Sequence, residues 1–180
     1  MPSSDIKKIT EFIFEMGELK RIKRSGWWNV KITNPESVAE HSFRAAIIAY
    51  ELALLENHTS PEKIAFAALM HDATESRLLD LHKISSKYVE GKREIEEKIS
   101  KEQQQNSGIY YSLTAEDKII VKDADLLEMA FTAKEYMDAG YLQAKLLLDE
   151  AGKNIQSSSS KRIFIELQNK PSTDWFKDLV

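Results

Sequence analysis

Apolar residues recur at spacings of three and four along nearly the whole of this 180-residue chain, which is the period of α-helices that each turn one face inward. Six glycines and four prolines are too few to cut that pattern into short strands and turns. The chain therefore reads as all-α. Its length suits a single domain over residues 1–180 with a sizeable core, and the last forty residues read as one or two further helices.

Local signals set the helix boundaries. Ile6, Ile9, Phe12, Ile13, Met16 and Leu19 share one face of a first helix, followed by an irregular stretch from about Ser25 to Pro35 that holds Trp27 and Trp28. Ser37 with Glu40 three residues on forms a capping box, so a second helix starts at Val38 and runs to about Glu56. Ser60 followed by Pro61 starts a third, expected to carry Ile64 through Glu75. The charged stretch from Gly91 to Gln105 reads as an exposed helix. Thr114 with Asp117 caps a longer one that reaches about Ala139, where Gly140 is a natural stop. Ser157 to Ser160 reads either as a break or as a polar face, and Trp175 and Phe176 are expected to anchor the end.

Composition removes several functional classes. The absence of cysteine excludes disulfides and thiolate metal sites, and it fits a reducing, cytoplasmic setting. The longest apolar run, Ile64 to Met70, is seven residues, and no basic-then-apolar leader opens the sequence, so a soluble, unprocessed protein with no membrane partner is expected. A formal charge of −4 argues against a broad basic surface for nucleic-acid backbones, whereas a small anionic ligand needs only local positive charge.

Two imidazoles and two carboxylates stand out at positions the helical pattern turns inward. His41, Ala45, Ile48, Leu52 and Leu55 form one stripe of the second helix, while Ile64, Ala68 and His71 form one on the third, with Asp72 and Glu75 beside it. Asp125 lies in a long helix among Ile120, Leu127 and Phe131. Any one of these alone reads more readily as a hydrogen-bonded core residue. Jointly, a divalent cation cancels all four, and nitrogen and oxygen donors suit Mn, Fe, Co, Ni or Zn. Glu40 is explained by its capping box, and His58 and His82 fall in loops, so none of these three is read as a ligand.

The order His, then His-Asp about thirty residues later, then Asp some fifty further on resembles the HD superfamily of metal-dependent phosphohydrolases. The segments RSGWW at 24–28, NPESVAEHS at 34–42 and HDATE at 71–75, with Asp80 following, look like the YfbR-like 5′-deoxynucleotidases. The resemblance covers most of the chain to about Gly140. It implies an HD-domain helical bundle with its metal-binding core at about 36–140 and C-terminal helices at about 141–180, commonly a homodimer. It further implies hydrolysis of deoxyribonucleoside 5′-monophosphates to deoxynucleoside and phosphate.

Carried over position by position, the resemblance makes His41, His71, Asp72 and Asp125 the ligands of one divalent ion per subunit (Co, Mn, Zn, Ni, Fe or Mg). Asp72 and Glu75 become the catalytic carboxylates, Arg24 and Trp27 hold the substrate phosphate, and Asp80 meets the sugar. Four histidines, two of them in loops, leave too few donors for a multinuclear centre. Two other readings stay open. The chain is an HD hydrolase of ribonucleotides, nucleoside triphosphates or guanosine polyphosphates, or it is a non-catalytic, metal-stapled binding module.

Overall fold

The computed structural model describes residues 3–180, and among these it is helical without strands apart from an isolated bridge between Lys23 and Ser37. The helices are α1 (Ser3–Glu18), α2 (Val38–Leu55), α3 (Pro61–Met70), α4 (Glu75–Leu78), α5 (Lys83–Ser86), α6 (Lys92–Ser107), α7 (Ala115–Asp138), α8 (Lys145–Asn154) and α9 (Ser158–Asn169). Short 3-10 turns occupy Ser25–Val30, Leu142–Ala144 and Asp174–Leu179.

Helix α7 is the axis of the bundle, packing against α2, α3, α8 and α9, while α2 also lies along α3. Alanines make these close approaches possible: Ala45, Ala49 and Ala53 on α2, Ala67 and Ala68 on α3, and Ala124, Ala130 and Ala133 on α7 are all buried. Between them the larger Leu52, Ile64 and Leu127 fill the core and are fully buried. Gly152 on α8 serves the same end, since a Cβ there would fall 2.4 Å from Cζ of Phe164 on α9.

Both capping boxes form. The Ser37 hydroxyl accepts from the Glu40 amide while the Glu40 carboxylate accepts from the Ser37 amide, and Thr114 and Asp117 reciprocate in the same way. Asp117 also accepts from Lys63 Nζ at 2.8 Å and pairs with His58 Nε2 at 2.9 Å, tying the start of α7 to the start of α3. Asp123, buried on α7, accepts the backbone N–H groups of Gln156 and Ser157 and so fixes the break before α9, for which Ser157 is the N-cap. Gly140, at φ +100°, ends α7 in a conformation that a side chain would strain.

Several expectations fail for tertiary reasons. Helix α3 stops at Met70 instead of continuing to Glu75, because the His71 imidazole Nδ1 takes the Ala68 carbonyl at 2.6 Å and the chain tightens into three-residue turns up to Glu75. Among the α1 residues whose burial is described, Phe12 alone is buried, with Leu19 just beyond the helix end; Ile6 and Ile13 are exposed, since the helix packs chiefly against α6 and α4 at the bundle's edge. Leu55, at the end of α2, is likewise exposed. Trp175 and Phe176 do not anchor the terminus: they pack edge-on against each other, and both remain exposed.

The contrast between two leucines of α2 is measurable. Leu52→Ala should lower the unfolding free energy by about 2–5 kcal/mol, whereas Leu55→Ala should stay within about 0.5 kcal/mol, both read from urea denaturation.

Candidate metal centre and active-site cavity

Three separate stretches of chain deliver the cluster. His41 sits in the first turn of α2, where the capping box sets the helix start and hence the face on which the ring lies, and it is fully buried. His71 and Asp72 occupy the turn after α3, and Asp125 projects from the middle of α7. The bond that ends α3 also orients His71.

The donor atoms converge. His41 Nε2 lies 3.3 Å from His71 Nε2, 3.3 Å from Asp125 Oδ1 and 3.7 Å from Asp72 Oδ2. His71 Nε2 lies 3.1 Å from Asp72 Oδ2 and 3.8 Å from Asp125 Oδ1. Donors at ordinary metal–ligand bond lengths on a tetrahedron stand about 3.3–3.6 Å apart; His41, His71 and Asp125 lie close enough together to hold one divalent ion, with Asp72 beside the two imidazoles and bonded to Arg24.

The opposite edges of the rings support the same assignment. His41 Nδ1 bonds Glu128 Oε2 at 2.5 Å and His71 Nδ1 bonds the Ala68 carbonyl, so each neutral ring would carry its proton on Nδ1 and aim an Nε2 lone pair at the cluster. Two lone pairs and two carboxylates facing one point require a cation or protons. The local charge balance agrees: burial opposes it, but Asp72 and Asp125 push His71 up to about 10. Against burial, the imidazoles hold the Asp72 and Asp125 carboxyls far below the usual range.

Glu128 was not singled out from the sequence. It is fully buried on α7, and besides His41 it accepts from Arg44 Nε at 3.0 Å and from Thr132 Oγ1 at 2.9 Å. Asp125, Glu128 and Thr132 follow at three and four spacing, so a helical projection puts them on one face, but nothing in their identities says that Arg44 crosses from α2 to meet them. Glu36, His41 and Glu128 also lie close enough together to suggest a second metal set. Arg44, Thr132 and the Trp27 indole already satisfy those carboxylates, which makes this group the support behind His41.

The remaining candidates border two cavities. One, of about 540 Å³, lies between the His71–Glu75 turn and α6; the other, of about 640 Å³, is lined by Arg24, Trp27, Asp72, Asp80, Lys122 and Asp125 and runs on to α8. Asp72 faces both. Glu75 opens α4 beside the first cavity, and its buried Oε2 has no hydrogen-bond partner. Burial, then the nearby Asp72 and Asp80 carboxylates, push its carboxyl up to about 8. Arg24 bonds Asp72 Oδ2 at 2.9 Å and lies 3.7 Å from Asp125 Oδ1. Asp80 accepts from the Ser25 amide, while the Ser25 hydroxyl donates to the Asp80 carbonyl.

Trp27 departs from expectation. Its ring is buried in the cavity wall, but the indole N–H, expected to face the phosphate, donates to Glu36 Oε1 at 3.1 Å. Trp28, by contrast, is half exposed.

Removing the support behind His41 with Glu128→Gln should weaken divalent-metal affinity about 10–100-fold, measured by chelator competition. Because an ion must displace the proton favoured on His71, affinity should rise with pH, by about tenfold per unit between pH 6 and 8 if one proton is released. Calorimetry in buffers of different ionisation enthalpy would count that proton.

A family model described as HD domain matches residues 16–164. A 5′-deoxynucleotidase of Pasteurella multocida is 30% identical over 183 residues, covering 89% of this chain and 92% of that protein. The 5′-deoxynucleotidase HDDC2 of Homo sapiens is 24% identical, covering 93% of this chain and 88% of that protein. A conserved hypothetical protein from Pyrococcus furiosus, of known structure, superposes with a TM-score of 0.72 at 30% identity, covering 89% of this chain and 99% of that one. The cluster's order along the chain, the helical bundle that assembles it and these matches agree: the chain belongs to the HD-domain family, among its 5′-deoxynucleotidases.

Proposed function

We propose that this chain is a metal-dependent phosphohydrolase that converts deoxyribonucleoside 5′-monophosphates to deoxynucleoside and phosphate. The observation that carries the reading is the convergence of His41, His71, Asp72 and Asp125 at the edge of a cavity with Arg24 and Asp80 in its wall. The named relatives supply the substrate class.

His41, His71, Asp72 and Asp125 would hold one divalent ion, which when bound lowers the pKa of a water and polarises a phosphoryl oxygen. Arg24 fixes the two ligand carboxylates and presents its remaining donors towards a phosphate. Glu75, burdened with neighbouring carboxylates, holds a proton near neutrality that it can deliver to the leaving 5′ oxygen. Asp80, held by Ser25, accepts from a sugar hydroxyl, and Leu126, Met129 and Leu147 give the base an apolar wall.

The reading extends to a homodimer in the cytoplasm. Phe43, Ile47, Tyr50 and Leu54 form an exposed apolar stripe along α2 that a second copy can cover, and the chain has no cysteine. No described helix is long and apolar enough to cross a membrane.

Metal-stripped protein resupplied separately with Mn, Co, Zn or Mg should release phosphate from dAMP faster than from AMP or 3′-AMP. Asp72→Ala should abolish release. Glu75→Gln should cut kcat by about 10²–10⁴-fold. If Glu75 is the acid, the wild-type rate falls as pH rises through about 8, where that carboxyl loses its proton, and the residual rate of Glu75→Gln lacks that limb. Release of pyrophosphate from a triphosphate, with none from any monophosphate, would overturn the assignment.

A further inference from the structure

We propose that Lys122 is a second phosphate-binding cation of this site and a determinant of its preference for doubly charged monophosphate esters, a refinement that rests on the phosphohydrolase reading. The two residues expected to hold the phosphate are engaged elsewhere: the Trp27 N–H is given to Glu36, and Arg24 is drawn onto Asp72 and Asp125. Arg24 is also largely covered, with 17% of its side chain exposed, and four carboxylates surround it, those of Asp72, Asp125, Asp80 and Glu75. Beside a bound metal ion, a dianion entering this cavity gains from a further cation whose own pairing is easily exchanged.

Among the described residues that line the cavity, the fixed cations are Arg24, Lys83 and Lys122. Lys83 pairs with Glu150 on α8. Lys122 stands one helical turn before Asp125 on α7 and donates to its Oδ2 at 2.6 Å, while Asp125 Oδ1 faces the two imidazoles. Its ammonium is therefore one hydrogen bond from the cluster, on the cavity side.

The same ion pair is easy to exchange. Its lysine partner is 59% exposed, the pair spans three residues of one helix, and such pairs are weak and screened by solvent. Lysine carries its charge on a flexible stem, so the ammonium can leave Asp125 for a phosphate oxygen without moving the backbone. The attraction of Asp125 for it falls further whenever that carboxylate also serves a metal ion. Lys122 thus adds its charge to what Arg24 can offer an incoming dianion, and a singly charged diester gains less from it.

Full-length, Mn-loaded wild type, Lys122→Gln and Lys122→Arg should be compared in inorganic-phosphate affinity by calorimetry, in Mn affinity by chelator competition, and in kcat and KM for dAMP. Lys122→Gln should weaken phosphate binding and raise KM by about tenfold, as expected for one charge-assisted hydrogen bond. Its Mn affinity should stay within about twofold of wild type, and Lys122→Arg should recover most of the phosphate affinity. If Mn affinity falls while phosphate binding at saturating Mn is unchanged, Lys122 only holds Asp125 and the proposal is wrong; no change in either contradicts it as well. Should the wild type bind phosphate yet hydrolyse no deoxynucleoside monophosphate, the proposed reaction fails, while the phosphate titration still decides the role of Lys122.

Discussion

Two imidazole nitrogens 3.3 Å apart, with carboxylate oxygens of Asp72 and Asp125 within 3.8 Å of them, set the terms for everything around them. Ionised groups withdrawn from water are costly unless something of opposite charge meets them. A protein core can escape that cost with apolar residues, as at Leu52 on α2, Ile64 on α3 and Leu127 on α7, or by giving each buried carboxylate protein donors, as at Asp117 and Asp123. Retaining the four polar groups at the meeting point of those helices makes sense when a divalent ion provides the compensation. The alanines that let the helices approach also bring the donors within one ion's reach.

Support for the cluster is layered. His41 is held from behind by Glu128, and Glu128 by Arg44 and Thr132, so an α2 imidazole is positioned through a residue of α7. Glu36 completes this layer: it accepts from Trp27 and Thr132, and burial with the nearby Glu128 pushes it up to about 7. The tryptophan in the cavity wall is thereby fastened to Glu36, which shares Thr132 with the carboxylate that orients His41. His71 is fixed by different means, through the carbonyl of its own helix, and the turn that follows places Asp72 between the two cavities and Glu75 beside the first.

What the sequence disclosed followed from local rules. The two capping boxes placed α2 and α7 to within a residue or two, and with them the inward faces bearing His41 and Asp125. The end of α3 was hidden because an imidazole reaching a carbonyl is a side-chain choice that helical periodicity does not encode. Periodicity likewise gave α1 an apolar stripe without saying how little of it a neighbour covers, so Ile6 and Ile13 ended in solvent. The partnership of Glu128 with Arg44 spans 84 residues, and no local pattern in the sequence encodes it; it exists only where α2 and α7 lie side by side. The resemblance set Trp27 at the substrate phosphate, but the direction of its N–H depends on Glu36, whose carboxylate had no assigned role.

The most direct test of the central claim is a crystal structure of the Mn-loaded protein with anomalous scattering collected to locate the ion. The account predicts one anomalous peak per chain, bounded by His41 Nε2, His71 Nε2, Asp72 and Asp125, with Glu128 still bonded to the far side of His41. A peak among Glu36, His41 and Glu128, or none near His71 at saturating Mn, would contradict it.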